Sequence, residues 1–309
     1  MIDLHQAAVE YLRVRRALGF KLRGHDRLLA DFIVFLDRAG VSVPTTALAV
    51  SWATGPADRV QPVRCAQRLC AVRGFVQYLH ALDSRVEVPP ADLLSCRRQR
   101  SDPYLYSPED ISALIIAAGL LRPVFRAATY RALFGLLAAT GMRVGEAIGL
   151  DRDDVDLDAG VLVIRQAKFG KQRRLPLHPS TTTALRGYAI DRDRQQRRVS
   201  TPSFFVSTRG TRLIYECVHV AFTQMLARGG LTVPAGTAKP RIHGLRHSFA
   251  VSTLRDWYRD GADVATKLPI LSAYLGHAHP ASTYWYLSAA PDLLALAAQR
   301  LENAEGGER

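Results

Sequence analysis

The feature that most limits what this chain can fold into is a break in its apolar periodicity near residue 100. The basic run Arg97-Arg98-Gln99-Arg100-Ser101-Asp102-Pro103 has no regularly spaced apolar residue and follows Val88-Pro89-Pro90. A charged, aperiodic stretch with prolines is typical of a linker. The sequence therefore predicts a helical domain over residues 1–96, a linker over 97–106 and a larger domain over 107–309.

Apolar residues before the linker recur at helical intervals in four segments. These segments span residues 4–18, 28–36, 45–52 and 63–83, and they predict a small four-helix domain. Its outer faces carry arginines that could follow a phosphate backbone, although an ordinary solvated surface is the commoner explanation for any one of them. They are Arg13, Arg16, Arg64, Arg68 and Arg73.

The larger domain is predicted to begin with a helix, because Ser107-Pro108-Glu109-Asp110 combines a capping serine, a first-turn proline and two acids. After residue 139 the period changes, and residues 160–167 and 173–177 are strand-like on either side of Lys168-Phe169-Gly170-Lys171. This predicts a β-hairpin with a basic tip. Helical patterns resume over residues 181–191, 213–228, 243–255, 268–275, 282–288 and 292–302, so the fold class is mainly α with one small antiparallel sheet.

Basic residues exceed acidic ones, with 41 Lys and Arg against 28 Asp and Glu and a net charge of +13. Because 48% of the residues are hydrophobic, this charge belongs to a folded chain rather than to a disordered polyelectrolyte. An excess of this kind predicts a polyanionic partner.

The cysteines and the apolar runs argue against several classes of protein. Cys65, Cys70, Cys96 and Cys217 form no C-x-x-C pair, which disfavours a zinc ribbon or a disulfide scaffold. The most apolar run, residues 111–121, falls short of the roughly 20 residues of a membrane span. We therefore expect a cytoplasmic protein without a metal centre or a membrane anchor.

Two motifs place an arginine one helical turn from a second polar side chain. In Thr140-Gly-Met-Arg-Val-Gly-Glu146, Arg143 and Glu146 share a face, although a surface ion pair worth at most about 1 kcal/mol is the favoured explanation of this spacing when it is taken alone. In Arg241-Ile-His-Gly-Leu-Arg-His247, His243 and Arg246 can converge on one anion, but such a spacing is common by chance in an arginine-rich chain.

The third motif is Leu275-Gly276-His277, which is followed nine residues after its histidine by Tyr286. The ordered set T-G-x-R-x-x-E, H-x-L-R-H and L-G-H with its tyrosine resembles the tyrosine recombinases, also called phage integrases. The resemblance covers essentially the whole chain, because that family joins a helical, SAM-like core-binding domain to a catalytic domain whose β-hairpin carries a lysine.

Chemistry and the resemblance together suggest roles for these residues. Arg143 and Arg246 can each grip a DNA phosphate with a guanidinium fork, and Glu146 would orient Arg143. The resemblance implies that His243 and His277 hydrogen-bond the same phosphate, and that His243 can also accept the proton of the nucleophile. That nucleophile would be Tyr286, attacking to form a 3′-phosphotyrosyl link.

The resemblance also assigns the basic tip of the hairpin. Lys168 stands where the family's lysine is expected and would protonate the departing 5′ oxygen, while Lys171 occupies the second basic position and is a candidate DNA contact. Since the phosphotyrosyl link stores the energy of the phosphodiester, the resemblance implies that neither ATP, a metal nor another cofactor is needed.

Several neighbouring residues invite other interpretations. Tyr284 rivals Tyr286, but positions two apart on a helix point to nearly opposite sides. The acidic stretch 151–158 departs from an EF-hand at Ala159 and Arg165 and is predicted to be a polar connection before the hairpin. His279, before Pro280, fits a turn better than an H-x-H metal pair. The segment 251–273, which contains Pro269, looks longer and more irregular than the family's compact helix pair.

The resemblance implies a site-specific DNA recombinase acting in integration, excision, transposition or resolution, as in a mobile genetic element. Its partners would be double-stranded DNA with core sites, further copies of itself (a dimer on each site and a tetramer across a synapse) and accessory recombination proteins, which places it at the nucleoid. A C-terminal apolar stripe could dock on a neighbouring protomer or pack on its own chain: Leu293, Leu294, Leu296, Ala297 and Leu301. The alternatives are a DNA-binding regulator without turnover and a type IB topoisomerase.

Overall fold

A computed structural model of the chain describes residues 2–22, 24–55, 61–94, 103–165, 172–195, 201–231, 233, 238–277, 279, 281–289 and 293–299. The chain divides into two compact units, Met1–Arg100 and Ser101–Arg309. The division falls within the stretch 97–106 that the sequence assigns to a linker. The roles of the two units, DNA binding and catalysis, stay predictions.

The described part of the first unit contains the four predicted helices. They are α1 Leu4–Ala17, α2 His25–Arg38, α3 Thr46–Thr54 and α4 Pro62–Leu82. The Asp3 carboxylate accepts hydrogen bonds from the first backbone N–H groups of α1, and Thr45 caps α3 in the same way. One apolar face of each helix packs into a shared core in which Phe32 meets the ring of Trp52 edge-on at 5.2 Å.

The second unit is mainly helical with a small three-stranded antiparallel sheet, which confirms the predicted fold class. Ser107 and Asp110 form a reciprocal capping box at the start of its first helix. The helices are α5 Pro108–Gly119, α6 Val124–Thr140, α7 Val144–Gly149, α8 Pro179–Gln195, α9 Tyr215–Gly229, α10 Ile242–Arg259, α11 Val264–Leu275 and α12 Ala281–Ala289, and residues 293–299 are also helical.

The sheet has the order β1 Val155–Asp156, β2 Val161–Ile164 and β3 Arg173–Pro176. Strands β2 and β3 form the predicted hairpin, with Leu162 opposite Leu175 and both side chains buried. Prediction of a plain polar connection over residues 151–158 is wrong, because a 3₁₀ turn, Arg152–Asp154, and strand β1 lie there. A strand of two residues is too short to show an alternating pattern in the sequence.

Prediction of an irregular segment over residues 251–273 is also wrong. Helix α10 continues to Arg259 and α11 starts at Val264, where the Asp263 carboxylate caps it. Apolar side chains of α10, α11 and α12 share one buried cluster, which keeps α11 helical although Pro269 lies inside it. None of the described helices combines the length and the apolar character that a transmembrane span requires.

Candidate active site

Arg143 is placed by the abrupt end of α6. Gly141 closes that helix in the left-handed conformation (φ 60°), and a Cβ at this position would lie 2.6 Å from the ring of Phe249. The chain then starts α7 with Arg143 as its N-cap. The backbone N–H of Arg143 donates to Glu146 Oε2 and its Nη1 donates to Oε1, both at 3.0 Å. With the T-G-x-R-x-x-E spacing, the Glu146 carboxylate therefore accepts from both the backbone and the side chain of Arg143.

Arg246 lies on α10 and is only 2% exposed. Its Nη1 donates to the carbonyl of Gly141 at 2.9 Å, and its Nη2 donates to the carbonyl of Leu275 at 2.8 Å. Burial and then the neighbouring Arg143 lower the pKa of Arg246 to about 10. The guanidinium is still cationic at neutral pH, and it joins the end of α6 to the end of α11.

Three arginines meet at the C-terminal end of α11. The carbonyls of Tyr274, Leu275 and Gly276 accept, in that order, from Arg173 Nε at 3.0 Å, Arg246 Nη2 at 2.8 Å and Arg143 Nη2 at 3.1 Å; we call these three residues the carbonyl turn. The carbonyl end of a helix is its negative pole and favours cations. The next residue is His277, so the contacts that hold the carbonyl turn also hold the backbone directly before this histidine.

Gly276 permits this arrangement. Its φ is 70°, and a Cβ there would lie 2.7 Å from Arg173 Nη1. Any other residue would have to adopt a left-handed backbone and displace the guanidinium.

Glu146 is shared between two arginines. Besides Arg143, it accepts from Arg173 Nη1 at 3.1 Å and from Arg173 Nη2 at 2.7 Å. Burial raises the pKa of Glu146, but the hydrogen bonds from Arg173 and Arg143 outweigh burial and hold it below its usual value. Two arginines thus bond this carboxylate and Arg246 bonds only backbone carbonyls, so the cluster keeps an excess of positive charge.

The sequence analysis missed Arg173. The residue belongs to β3, where residues 173 and 175 alternate with the exposed residues 174 and 176. That alternation puts Arg173 on the same side of the strand as the buried Leu175. Burying the charge of an arginine is costly unless the arginine has an acidic partner. The core-facing position of Arg173 in the strand pattern could therefore have indicated that it pairs with a carboxylate.

His277 is half-buried behind the carbonyl turn. Its Nδ1 lies 2.7 Å from the Thr283 hydroxyl of α12. Burial, followed by the charges of Arg246 and Arg143, lowers the pKa of His277 to about 4, so its ring is neutral at pH 7 in this state. His243, at the start of α10, is solvent-exposed at the edge of the cluster.

Tyr286 and Tyr284 occupy opposite sides of α12. Tyr286 is 2% exposed, and its ring stacks 6.1 Å from that of His277, whereas Tyr284 is 52% exposed. The Tyr286 hydroxyl lies 3.2 Å from Nδ1 of His247. His247, which the sequence analysis left without a role, is one turn after His243 on α10, and that i,i+4 spacing was the signal for a shared face.

Of the other predicted site residues, Lys168 and Lys171 lie outside the described residues, and the five arginines belong to the first unit. Arg13 pairs with Glu10 at 2.6 Å and Arg16 with Asp26 at 2.5 Å on the surface of the first unit. Arg68 donates to the Trp52 carbonyl at 2.9 Å, and Arg73 donates to the Pro89 carbonyl at 2.8 Å. Arg64 is exposed.

The C-terminal stripe splits between core and surface. Leu293 is buried in the cluster that contains Tyr286, Leu294 is exposed, Leu296 and Ala297 are half-buried, and Leu301 lies outside the described residues. His279 is exposed, and its carbonyl accepts from the backbone of Ser282 at 3.0 Å. The described residues contain no group of three or more His, Cys, Asp or Glu that could hold a metal ion.

Comparisons with known proteins agree with one another. The sequence profile of the phage integrase family matches residues 109–292. The Sinorhizobium fredii protein described as an integrase/recombinase, y4rB, is 45% identical, covering 98% of this chain and 98% of that protein. The tyrosine recombinase XerD of Mycobacterium tuberculosis is 32% identical, covering 86% of this chain and 78% of that protein. The fold matches XerH site-specific recombinase bound to palindromic difH substrate in a post-cleavage complex, with a TM-score of 0.66 at 19% identity over 99% of this chain and 84% of that one.

Proposed function

The chain belongs to the phage integrase family of tyrosine recombinases, and from that premise we propose that it cleaves and rejoins DNA strands at specific sites through Tyr286. The supporting observation is the convergence of two arginines, a histidine and a buried tyrosine from the N-cap of α7, from α10, from the residue after the C-cap of α11 and from α12. Arg143 and Arg246 both hold the carbonyl turn that presents His277, and the ring of His277 stacks on that of Tyr286.

The cluster has the electrostatics of an anion site. Arg246 feels the like charge of Arg143 and is desolvated, which is costly unless an anion is bound between the two guanidinium groups. A phosphodiester supplies that anion, and the two guanidinium groups then stabilise the charge that grows on its oxygens during attack. His243 and His277 are proposed to donate to the same phosphate.

The proposed reaction is a direct displacement at phosphorus. The Tyr286 oxygen forms a bond to phosphorus while the bond from phosphorus to the 5′ oxygen breaks, and Lys168 is proposed to give that oxygen its proton. The resulting 3′-phosphotyrosyl ester keeps the energy of the broken bond, so a second strand can attack it without ATP. This exchange would serve integration, excision, transposition or resolution.

We extend the proposal to the partners and to the two units. Residues 1–96 would bind core-site DNA through Arg13, Arg16, Arg64, Arg68 and Arg73, with Lys171 as a further contact from the hairpin tip. Two copies would occupy one site and four would join two sites at the nucleoid. XerH, a relative in fold, was solved on its difH substrate, which supports DNA as the partner.

A nicked suicide substrate, made from the DNA that flanks the gene, tests the function. Wild-type protein should form a covalent adduct that protease digestion reduces to a phosphotyrosyl peptide, and Tyr286→Phe should form none. Tyr284→Phe is the matched control and should form adduct at the wild-type rate, since its ring is exposed on the opposite side of α12. Adduct from Tyr286→Phe would remove the proposed nucleophile.

Two further results would point to the alternatives. DNA binding without any adduct would indicate a regulator, and relaxation of plasmids without a preferred site or recombinant products would indicate a topoisomerase.

A further inference from the structure

We propose that His247, and not only the phosphate-facing His243, is a catalytic residue that accepts the hydroxyl proton of Tyr286. This inference rests on the proposed function and assigns one of its proton transfers. The distance from the Tyr286 hydroxyl to His247 Nδ1 is 3.2 Å, which is within the range for direct proton transfer. Their rings lie 5.5 Å apart at 61°, so the imidazole meets the phenol edge-on.

The two histidines of α10 have different surroundings. His243 is exposed at the edge of the cluster, where an incoming phosphate would reach it first, whereas His247 is half-buried one turn further along. Their rings contact each other at 4.7 Å. His247 also contacts the ring of Trp285 at 5.4 Å, so a second aromatic side chain of α12 packs against it beside Tyr286. The geometry therefore favours two separate roles, in which His243 binds the phosphate and His247 accepts the proton of the tyrosine.

Charged and titratable groups face this pair from every neighbouring element. His243 and Arg246 come from α10, His277 follows α11, and Arg143 comes from the start of α7. The Arg246 charge interacts favourably with an ionised Tyr286. The same cations oppose a second positive charge on a histidine, and a bound phosphate offsets them. Proton acceptance by His247 is thus coupled to the arrival of DNA.

The step balances. The Tyr286 proton moves to His247 Nδ1, the bond from the tyrosine oxygen to phosphorus forms, the bond from phosphorus to the 5′ oxygen breaks, and Lys168 protonates the departing oxygen. In the reverse step Lys168, now deprotonated, accepts the proton of the attacking 5′ hydroxyl, and the imidazolium of His247 returns its proton to the leaving tyrosine oxygen.

The decisive experiment measures single-turnover adduct formation on two suicide substrates, one with the ordinary phosphodiester and one with sulfur in place of the bridging 5′ oxygen. Sulfur leaves without a proton, so this substrate relieves the need for a general acid but not for a base. His247→Asn can keep a hydrogen bond near the Nδ1 position but cannot accept a proton. We expect it to slow adduct formation by about 10²-fold or more on both substrates.

Two variants calibrate this result. Lys168→Ala should be slow on the phosphodiester and restored on the sulfur substrate, because it lacks only the acid. His279→Ala, an exposed histidine outside the cluster, should react at the wild-type rate on both. The wild-type rate should also rise with pH as a histidine loses its proton, and this rise should be absent in His247→Asn.

The outcomes separate the inference from the function. If wild type forms adduct through Tyr286 and His247→Asn reacts within about threefold of it, with the same pH profile, His247 is not the base although the recombinase stands. Restoration of His247→Asn by sulfur would assign it to the leaving group and overturn the inference as well. His247→Gln is the second variant, and loss of DNA binding by both variants would show a structural role instead. Absence of wild-type adduct would overturn the proposed function itself.

Discussion

The arginines of the two units are used in different ways. On the first unit Arg13 and Arg16 each pair with one surface carboxylate, and all four side chains of these pairs are more than 40% exposed. In the second unit Arg143 and Arg173 share the single carboxylate of Glu146, and together with Arg246 they bond the carbonyls of the carbonyl turn. The number of arginines is therefore a poor guide to how they are used, whereas burial together with few carboxylates distinguishes the arginine cluster of the second unit.

The largest effect is expected from Arg246→Gln. It removes a buried charge and leaves the carbonyls of Gly141 and Leu275 without their donors, which costs about 1–3 kcal/mol for each. Adduct formation at saturating DNA should fall about 10²–10³-fold. Rapid-quench assays measure the rate of adduct formation, and urea unfolding measures the loss of stability. A wild-type rate of adduct formation in Arg246→Gln would show that the buried arginines of the second unit matter no more for the reaction than the surface arginines of the first.

Arg173→Lys should have a smaller but clear effect. A lysine keeps the charge but cannot bond both Glu146 oxygens and the Tyr274 carbonyl together. Losing one charge-assisted hydrogen bond predicts adduct formation about 10-fold slower, with DNA affinity retained. Arg174→Lys, on the exposed side of the same strand, is the control. Equal rates in the two variants would mean that Arg173 does not position the site.

Gly276→Ala tests the carbonyl turn of the second unit through the thermal stability of the protein. The left-handed backbone costs an alanine about 1–2 kcal/mol, and the contact with Arg173 adds to this cost. Gly145→Ala is the control, because a Cβ there has no neighbour within 4 Å. Thermal unfolding should show a lower Tm for Gly276→Ala only, and equal Tm values would show that the carbonyl turn tolerates a side chain.

The smallest effect is expected from Arg13→Ala. Its exposed pair with Glu10 contributes little to stability, because solvent screens both charges. If Arg13 neutralises one DNA phosphate, the log–log salt dependence of DNA affinity becomes shallower by about 0.9. Titrations at several salt concentrations measure the slope. A loss of adduct formation as large as that of Arg246→Gln would erase the difference between the units.

The sequence predicted the helices and the hairpin because their signals are local. Ser107 and Pro108 mark a helix start, and Gly141 and Gly276 end helices where the motifs require it. The motif spacing also selected Tyr286 over Tyr284, and the structure places only Tyr286 beside His277.

The contacts that cross between elements could not be predicted in the same way. Arg173 and Glu146 are 27 residues apart, and the pairing of Tyr286 with His247 spans 39. The sequence around Arg173 does not indicate that its partner is Glu146, and the sequence around Tyr286 does not indicate that its partner is His247. Pro269 misled the analysis for the same reason, since its helix is stabilised by packing against α10 and α12 rather than by local preference.

The burial of Tyr286 bears on the fate of a cut strand. A phenol that is 2% exposed meets almost no bulk water. The same shielding, kept while the ester exists, would exclude water as a competing nucleophile and leave the hydroxyl of an incoming strand as the attacker. Hydrolysis would turn each cleavage into a permanent nick, so such shielding would keep the cut strand able to be rejoined.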